Sequence, residues 1–173
     1  MILILTSFIL DQVESDRTVP KRVLLDEAWE LLKSPAAANF MEYAARTFRK
    51  TGSGITFITQ GVEEIVSSGI GPAILNNTAT KLIMLQKGDT RILKDVLKLN
   101  SQELRLIQSL EQRKGVFSEG FLISGESRQV IRFQPSPVEY WISTSDARDN
   151  QYLESLMDQG LSLENAVSKA SEI

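Results

Sequence analysis

Apolar positions recur at helical spacing over residues 2–16, where Leu5, Phe8, Ile9 and Val13 fall on one stripe and polar residues enter near the end. That stripe predicts a helix entering the core. Residues 23–25 are short, apolar and partly β-branched, which predicts a buried strand. Helical spacing returns over 35–50, with Ala37, Phe40, Met41, Ala44 and Phe48 on one face. Ser34 suits the N-cap, Pro35 suits the first helical position, and Gly52 and Gly54 close the element. ITFIT at 55–59 is rich in β-branched and aromatic residues and predicts a second strand. VEEIVSS predicts a short helix closed by GIG, and KLIML at 81–85 a third strand.

Past residue 98 the pattern changes. A helix is predicted over 100–114, opened by a capping box of Asn100 and Glu103. GVFSEGFLIS and RQVIRFQPS read as two strands joined by GES, an antiparallel hairpin. Two helices follow, over 147–160 and 162–171, the first stopped by Gly160 and the second capped by Ser162. Strands alternating with helices up to residue 98 predict a parallel sheet covered by helices, so the class is α/β with an antiparallel hairpin and C-terminal helices appended. No repeat or low-complexity linker interrupts the chain, and residues 1–173 read as one domain, with a core at 1–98 and an appendage at 99–173.

Composition narrows the chemistry. The chain has 173 residues, 42 % hydrophobic and 24 % charged, enough to bury a core without staples. It contains no Cys and no His, which removes disulfides, thiolate chemistry, His-liganded zinc and Ser-His or Cys-His hydrolysis. Any chemistry must use carboxylates, amides, hydroxyls, Lys or Arg. A net charge of −3, with no basic stripe interleaved with aromatics, argues against a nucleic-acid-binding domain. MILILTSFIL is too short to span a bilayer as a helix and lacks the basic leader and cleavage site of a signal peptide, so a cytoplasmic location is expected.

Three groups could carry a reaction. Asp26 and Glu27 follow the first strand, and in open α/β sheets ligands sit at the carboxyl ends of strands. One carboxylate there can hold magnesium through water, and its neighbour can polarise an attacking water. The competing reading is that two acids favour the first turn of the helix EAWELLK. Gln60 ends the second strand and would meet the acids on the same sheet edge; a neutral amide there can contact a γ-phosphate. Arg46, Arg49 and Lys50 close the helix of 35–50, either as a cationic finger toward a neighbour or as cations favoured by the helix dipole. Trp29, Phe40, Phe48, Phe57 and Phe133 read as core, and burial is also expected for Tyr140 and Trp141.

The ordered segments VLLDEAWELL, AARTFRKTGSGITFITQ, AILNNTATKLIMLQ and VFSEGFLI resemble the C-terminal ATPase domain of the TraC-type conjugative transfer and type IV secretion ATPases, in the RecA-like P-loop group. The resemblance covers roughly residues 1–165. It implies a partial RecA-like sheet, with LLDE as the Walker B element, Asp26 supporting magnesium, Glu27 activating water and Gln60 sensing the γ-phosphate. Arg46, Arg49 and Lys50 match a basic motif that acts across a subunit interface. ATP and magnesium are the implied cofactors. The implied partners are the secretion or conjugation machinery and further copies of the chain, up to a hexamer, at the cytoplasmic face of the inner membrane, with no direct nucleic-acid binding.

One part of the pattern is missing. No G-x-x-x-x-G-K-[ST] occurs in the chain, and GSG at 52–54 precedes a strand rather than a helix. In the family the P-loop lies upstream of the segment where this chain begins, and the helix at residues 2–16 reads as one cut in half. The expectation is therefore a C-terminal motor fragment, with weak nucleotide binding or none because the phosphate cradle is absent. The alternative is a non-catalytic interaction module of the same machinery. The P-loop strand would lie between the strands at 55–59 and 81–85, so its omission leaves a slot, filled by another segment or by self-association, or forces those two strands to pair.

Overall fold

A computed structural model describes residues 2–86 and 88–172. Helix α1 (Ile2–Ser15) forms where the apolar stripe predicts it, but only its last part enters the core. Val13 is 2 % exposed and Ile9 and Leu10 pack beside it, whereas Leu5 and Phe8 are 56 % and 60 % exposed.

Strand β1 (Arg22–Leu25) leads into a short helix α2 (Ala28–Leu32) and then α3 (Pro35–Thr47). A 3₁₀ turn over Phe48–Thr51 ends at Gly52, whose φ of 70° lets the chain reverse into β2 (Gly54–Phe57). Ser34 occupies the N-cap of α3 as expected, but its side chain makes no capping bond; Pro35 supplies the start. β1 and β2 pair in parallel, Arg22 against Gly54 through Leu25 against Phe57. The predicted stripe of α3 is the heart of the first core: Ala37, Phe40, Met41, Ala44 and Phe48 are buried, with Ala28, Ile65 and Ile74 beside them. Phe40 meets Phe48 edge-on at 6.2 Å.

Helices α4 (Val62–Val66) and α5 (Gly71–Asn77) pack so closely that a Cβ on Gly71 would lie 2.3 Å from the Ile65 carbonyl oxygen. β3 (Thr80–Met84) follows, then α6 (Arg91–Val96) and α7 (Ser101–Gln108). The capping box predicted at Asn100 and Glu103 is formed. The helix expected to reach residue 114 stops at Gln108, and Gln112–Arg113 forms a short strand, β4. The hairpin is β5 (Phe117–Ser124) and β6 (Ser127–Phe133), turned at Gly125 with φ 57°. Three helices close the chain: α8 (Pro137–Ser143), α9 (Ala147–Asp158) and α10 (Leu163–Ala170). Gly160, at φ 92°, and the Ser162 cap stand where the sequence placed them.

The expected parallel sheet is reduced to the β1–β2 pair. β3 is antiparallel to β5 instead, Thr80 against Ser124 through Met84 against Gly120. β5 is thus the middle of a second sheet, with β6 along one edge and β3 and β4 end to end along the other. This sheet buries Ile83, Phe121 and Ile123 against Leu93, Leu99, Ile107 and Leu110. A third cluster, Leu153, Leu156, Ala166, Val167 and Ala170, is built by the terminal helices, with Trp141 and Tyr152 packed on it.

β2 and β3 do not pair with each other, and among the described residues each has a partner strand on one side only. The amides of Gly54 and Ile58 donate to Lys21 and Leu25, toward β1, so those of Ile55 and Phe57 face away from it. The direct pairing of these two strands, one of the outcomes expected above, is therefore not formed among the described residues.

Candidate active site

The ends of β1 and β2 are tied together before any side chain is considered. The Ile58 amide donates to the Leu25 carbonyl at 2.9 Å, and the Ala28 amide donates to the Ile58 carbonyl at 2.9 Å. These bonds hold the turn at Asp26 and Glu27 against the exit of β2. Asp26 Oδ1 accepts the Glu27 amide at 2.9 Å. Glu27 itself has φ 48° and ψ 44°, a left-handed conformation that costs a non-glycine residue roughly 1–2 kcal/mol. The surrounding bonds must over-determine such a residue for it to persist.

The Glu27 carboxylate is the centre of that arrangement. Gln60 Nε2 donates to its Oε1 at 2.8 Å, and Trp29 Nε1 donates to its Oε2 at 2.6 Å. Gln60 first, and Trp29 second, hold this carboxyl below the ordinary glutamate value of 4.5 by bonding its charged form. The two acids therefore divide their work. Asp26 bonds into the backbone of the turn, as an acid favouring a helix start would. Glu27, although it is the N-cap residue of α2, makes no capping bond and reaches across to the second strand instead.

Asp26 is exposed, and its second carboxylate oxygen makes no bond among the described residues. A single free carboxylate suits a magnesium ion that keeps most of its water. No three acidic side chains converge on a metal-sized site among the described residues. Among the described residues no Lys or Arg is bonded to Asp26, Glu27 or Gln60. Lys33, the residue that caps the end of the same short helix, is bound to Glu30 at 3.0 Å and lies over the Trp29 ring at 4.1 Å. The residues present fit a hydrated magnesium ion and do not, by themselves, fit a polyphosphate.

The three basic candidates lie elsewhere. Arg46 is paired with Glu42 at 2.7 Å, one helical turn away. Arg49 and Lys50 stand in the 3₁₀ turn before β2, at the amino end of the sheet, whereas Asp26, Glu27 and Gln60 stand at the carboxyl end. Four residues of strand separate the ends by about 13 Å. Neither Arg49 nor Lys50 makes an ion pair among the described residues. Lys50 lines a pocket of about 270 Å³ with Arg17 and Tyr43. A larger open groove of about 690 Å³, between Gly115, Phe117, Phe133 and Tyr140, lies on the hairpin side and touches none of these residues.

Sequence reasoning brought Asp26, Glu27 and Gln60 to one edge, and the structure joins Glu27 to Gln60. It missed Trp29, assigned to the core. The available signal was chemical: an indole N–H near a carboxylate seeks a partner as soon as it is partly buried.

Comparison with known proteins shows the family and the fold of the chain. The model of the TraG P-loop domain family matches residues 1–172. The chain is 27 % identical over 124 residues to the type IV secretion system protein virB4 of Bartonella quintana (strain Toulouse), and equally to that of Bartonella henselae (strain ATCC 49882 / DSM 28221 / CCUG 30454 / Houston 1). Those matches span 71 % of this chain and 15 % of each relative, so the chain covers only a small part of their length. The solved structure of VirB4 from Thermoanaerobacter pseudethanolicus superposes with a TM-score of 0.64 at 26 % identity, over 78 % of this chain and 36 % of that one.

Proposed function

We infer the function from one premise: this chain belongs to the TraG P-loop domain family and is a type IV secretion ATPase-like protein of RecA-like fold. We propose that it is the Walker B part of such a motor. Asp26 supports the magnesium ion through water, Glu27 polarises the attacking water, and Gln60 reads the γ-phosphate. The observation that carries this reading is the Gln60–Glu27 hydrogen bond across the carboxyl ends of β1 and β2, where an α/β sheet offers its ligand site. Arg49 and Lys50, free of acidic partners at the opposite end of the same sheet, serve a neighbouring copy in the assembled motor; Arg46, bound to Glu42, does not. Residues 1–173 act as one partial motor domain within the secretion or conjugation machinery.

The P-loop has to come from outside residues 1–173, since no Walker A motif occurs within them. Its backbone N–H groups and lysine supply most of the grip on the phosphates. The chain by itself is therefore expected to give no heat on titration with Mg·ATP, the same result as its Asp26→Ala variant. Micromolar binding that disappears in Asp26→Ala would overturn the missing-cradle argument and require phosphate ligands among the residues named here. Among the described residues no helix is long and apolar enough to cross a membrane. In this reading the motor works at the cytoplasmic face of the inner membrane.

A further inference from the structure

We infer that Trp29 is a positioning residue for Glu27, its indole N–H fixing the direction of the carboxylate independently of Gln60. This rests on the proposed role of Glu27 and extends it to a residue that no comparison assigns.

The first support is where the ring is not. Leu31 and Leu32, on the same short helix, pack on the first core, and Ala28 is wholly buried within it. Trp29 is absent from that cluster and only half-buried. A large aromatic left out of the core on a five-residue helix is not there for packing area.

The second support is geometry. The indole is a donor only and cannot exchange roles with the carboxylate. Its bond to Oε2 at 2.6 Å is the shorter of the two that Glu27 accepts. The ring is itself held from its face by Lys33 Nζ at 4.1 Å, and Lys33 is held by Glu30 at 3.0 Å. Glu30, Lys33, Trp29 and Glu27 thus form one chain of contacts on α2 and the turn before it.

The third support is the division of anchors. Gln60 belongs to the other strand, and its amide is the group expected to engage a phosphate. When it leaves Oε1, the indole is the remaining side-chain donor that keeps the Glu27 carboxylate aimed. A carboxylate with one anchor on its own helix stays oriented; with none it rotates.

The test has two arms. The chain contains two tryptophans, so its nitrogen–proton NMR spectrum has two indole signals, assigned with Trp141→Phe. The Trp29 signal is expected downfield of that of Trp141, and to move upfield in Glu27→Ala while remaining in place in Gln60→Ala. An indole signal indifferent to Glu27→Ala overturns the inference. In the second arm, Mg·ATP turnover is measured with the P-loop supplied. Trp29→Phe keeps an aromatic face, though a smaller one, and removes the donor, and is expected to lower kcat on the order of 10- to 100-fold with KM unchanged. An unchanged kcat at an unchanged melting temperature overturns positioning. Turnover that survives Glu27→Gln overturns the role of Glu27 itself, an outcome separate from the indole response in the first arm.

Discussion

The two sheets of this chain are built on opposite terms. The antiparallel sheet is largely local: β5 and β6 are separated by a tight turn at Gly125, pair over seven residues, and bury Phe121 completely. The parallel pair is four residues by four, joined through two helices, with every position of β2 half-buried and its outer edge unpaired. Two isolated strands are marginal without packing from elsewhere. The candidate chemistry nevertheless sits at the end of the weaker pair. Groups that must meet a ligand are at home on the less self-sufficient element, because binding sites are drawn from the regions of lower local stability.

The largest test of this contrast is truncation of one ring in each sheet. Phe121→Ala is expected to cost about 3–5 kcal/mol in urea unfolding, the range for a fully buried phenylalanine. Phe57→Ala, on a half-buried strand, is expected to cost less; an equal cost would erase the difference between the sheets. Next come two strand glycines. A Cβ on Gly120 would lie 2.8 Å from Leu82 Cδ1 and 3.1 Å from Met84 Sδ, the far ends of flexible side chains that can shift, so Gly120→Ala is expected to destabilise by about 1 kcal/mol. The nearest atom to a Cβ on Gly54 is Arg22 Nε at 3.8 Å, and Gly54→Ala is expected to stay within about 0.5 kcal/mol of the parent. A large loss at Gly54 would show that the parallel pair is tighter than its exposed edge implies.

The smallest effect is electrostatic. Glu119 and Glu27 both titrate below the ordinary glutamate value of 4.5, for different reasons. Glu119 is held chiefly by the Arg132 guanidinium at 2.7 Å and also accepts the Glu111 amide, whereas Glu27 is held by the neutral donors Gln60 and Trp29. Because both folded values are depressed, each carboxylate contributes stability above 4.5 that is lost as pH falls through its folded value. High salt screens the Arg132 charge and is expected to return Glu119 toward 4.5 while leaving Glu27 nearly unmoved. Carboxyl NMR titrations at low and high salt would check this. Equal salt sensitivity at the two sites would place an unrecognised cation near Glu27.

Local pattern made several features legible in advance. The face of α3 from Ala37 to Phe48, the capping box at Asn100, the turn at Gly125 and the stop at Gly160 each depend on residues within a few positions of one another. So did the hypothesis that Asp26, Glu27 and Gln60 share an edge, since it needs only two strands ending at the same level. The order of DEAW, the basic residues and TQ pointed to the secretion ATPases, and the match to the TraG P-loop domain family bears that out.

What pattern could not supply was the partner of each strand. KLIML has the composition of a parallel-sheet strand, yet β3 lies antiparallel to β5, because pairing is chosen among strands distant in sequence and the hairpin offers the complementary edge. The helix expected to continue to residue 114 gives way at Gln108, since Gln112 and Arg113 find a place beside β5. Trp29 looked like core because it is large and apolar; only the folded turn brings its N–H to Glu27. The sequence by itself determined most of the longer elements, the caps at Asn100 and Ser162, and the family. The tertiary structure decided which edges stay open, which acid reaches across the sheet and which indole holds it, because these depend on close contacts between atoms that only folding brings together.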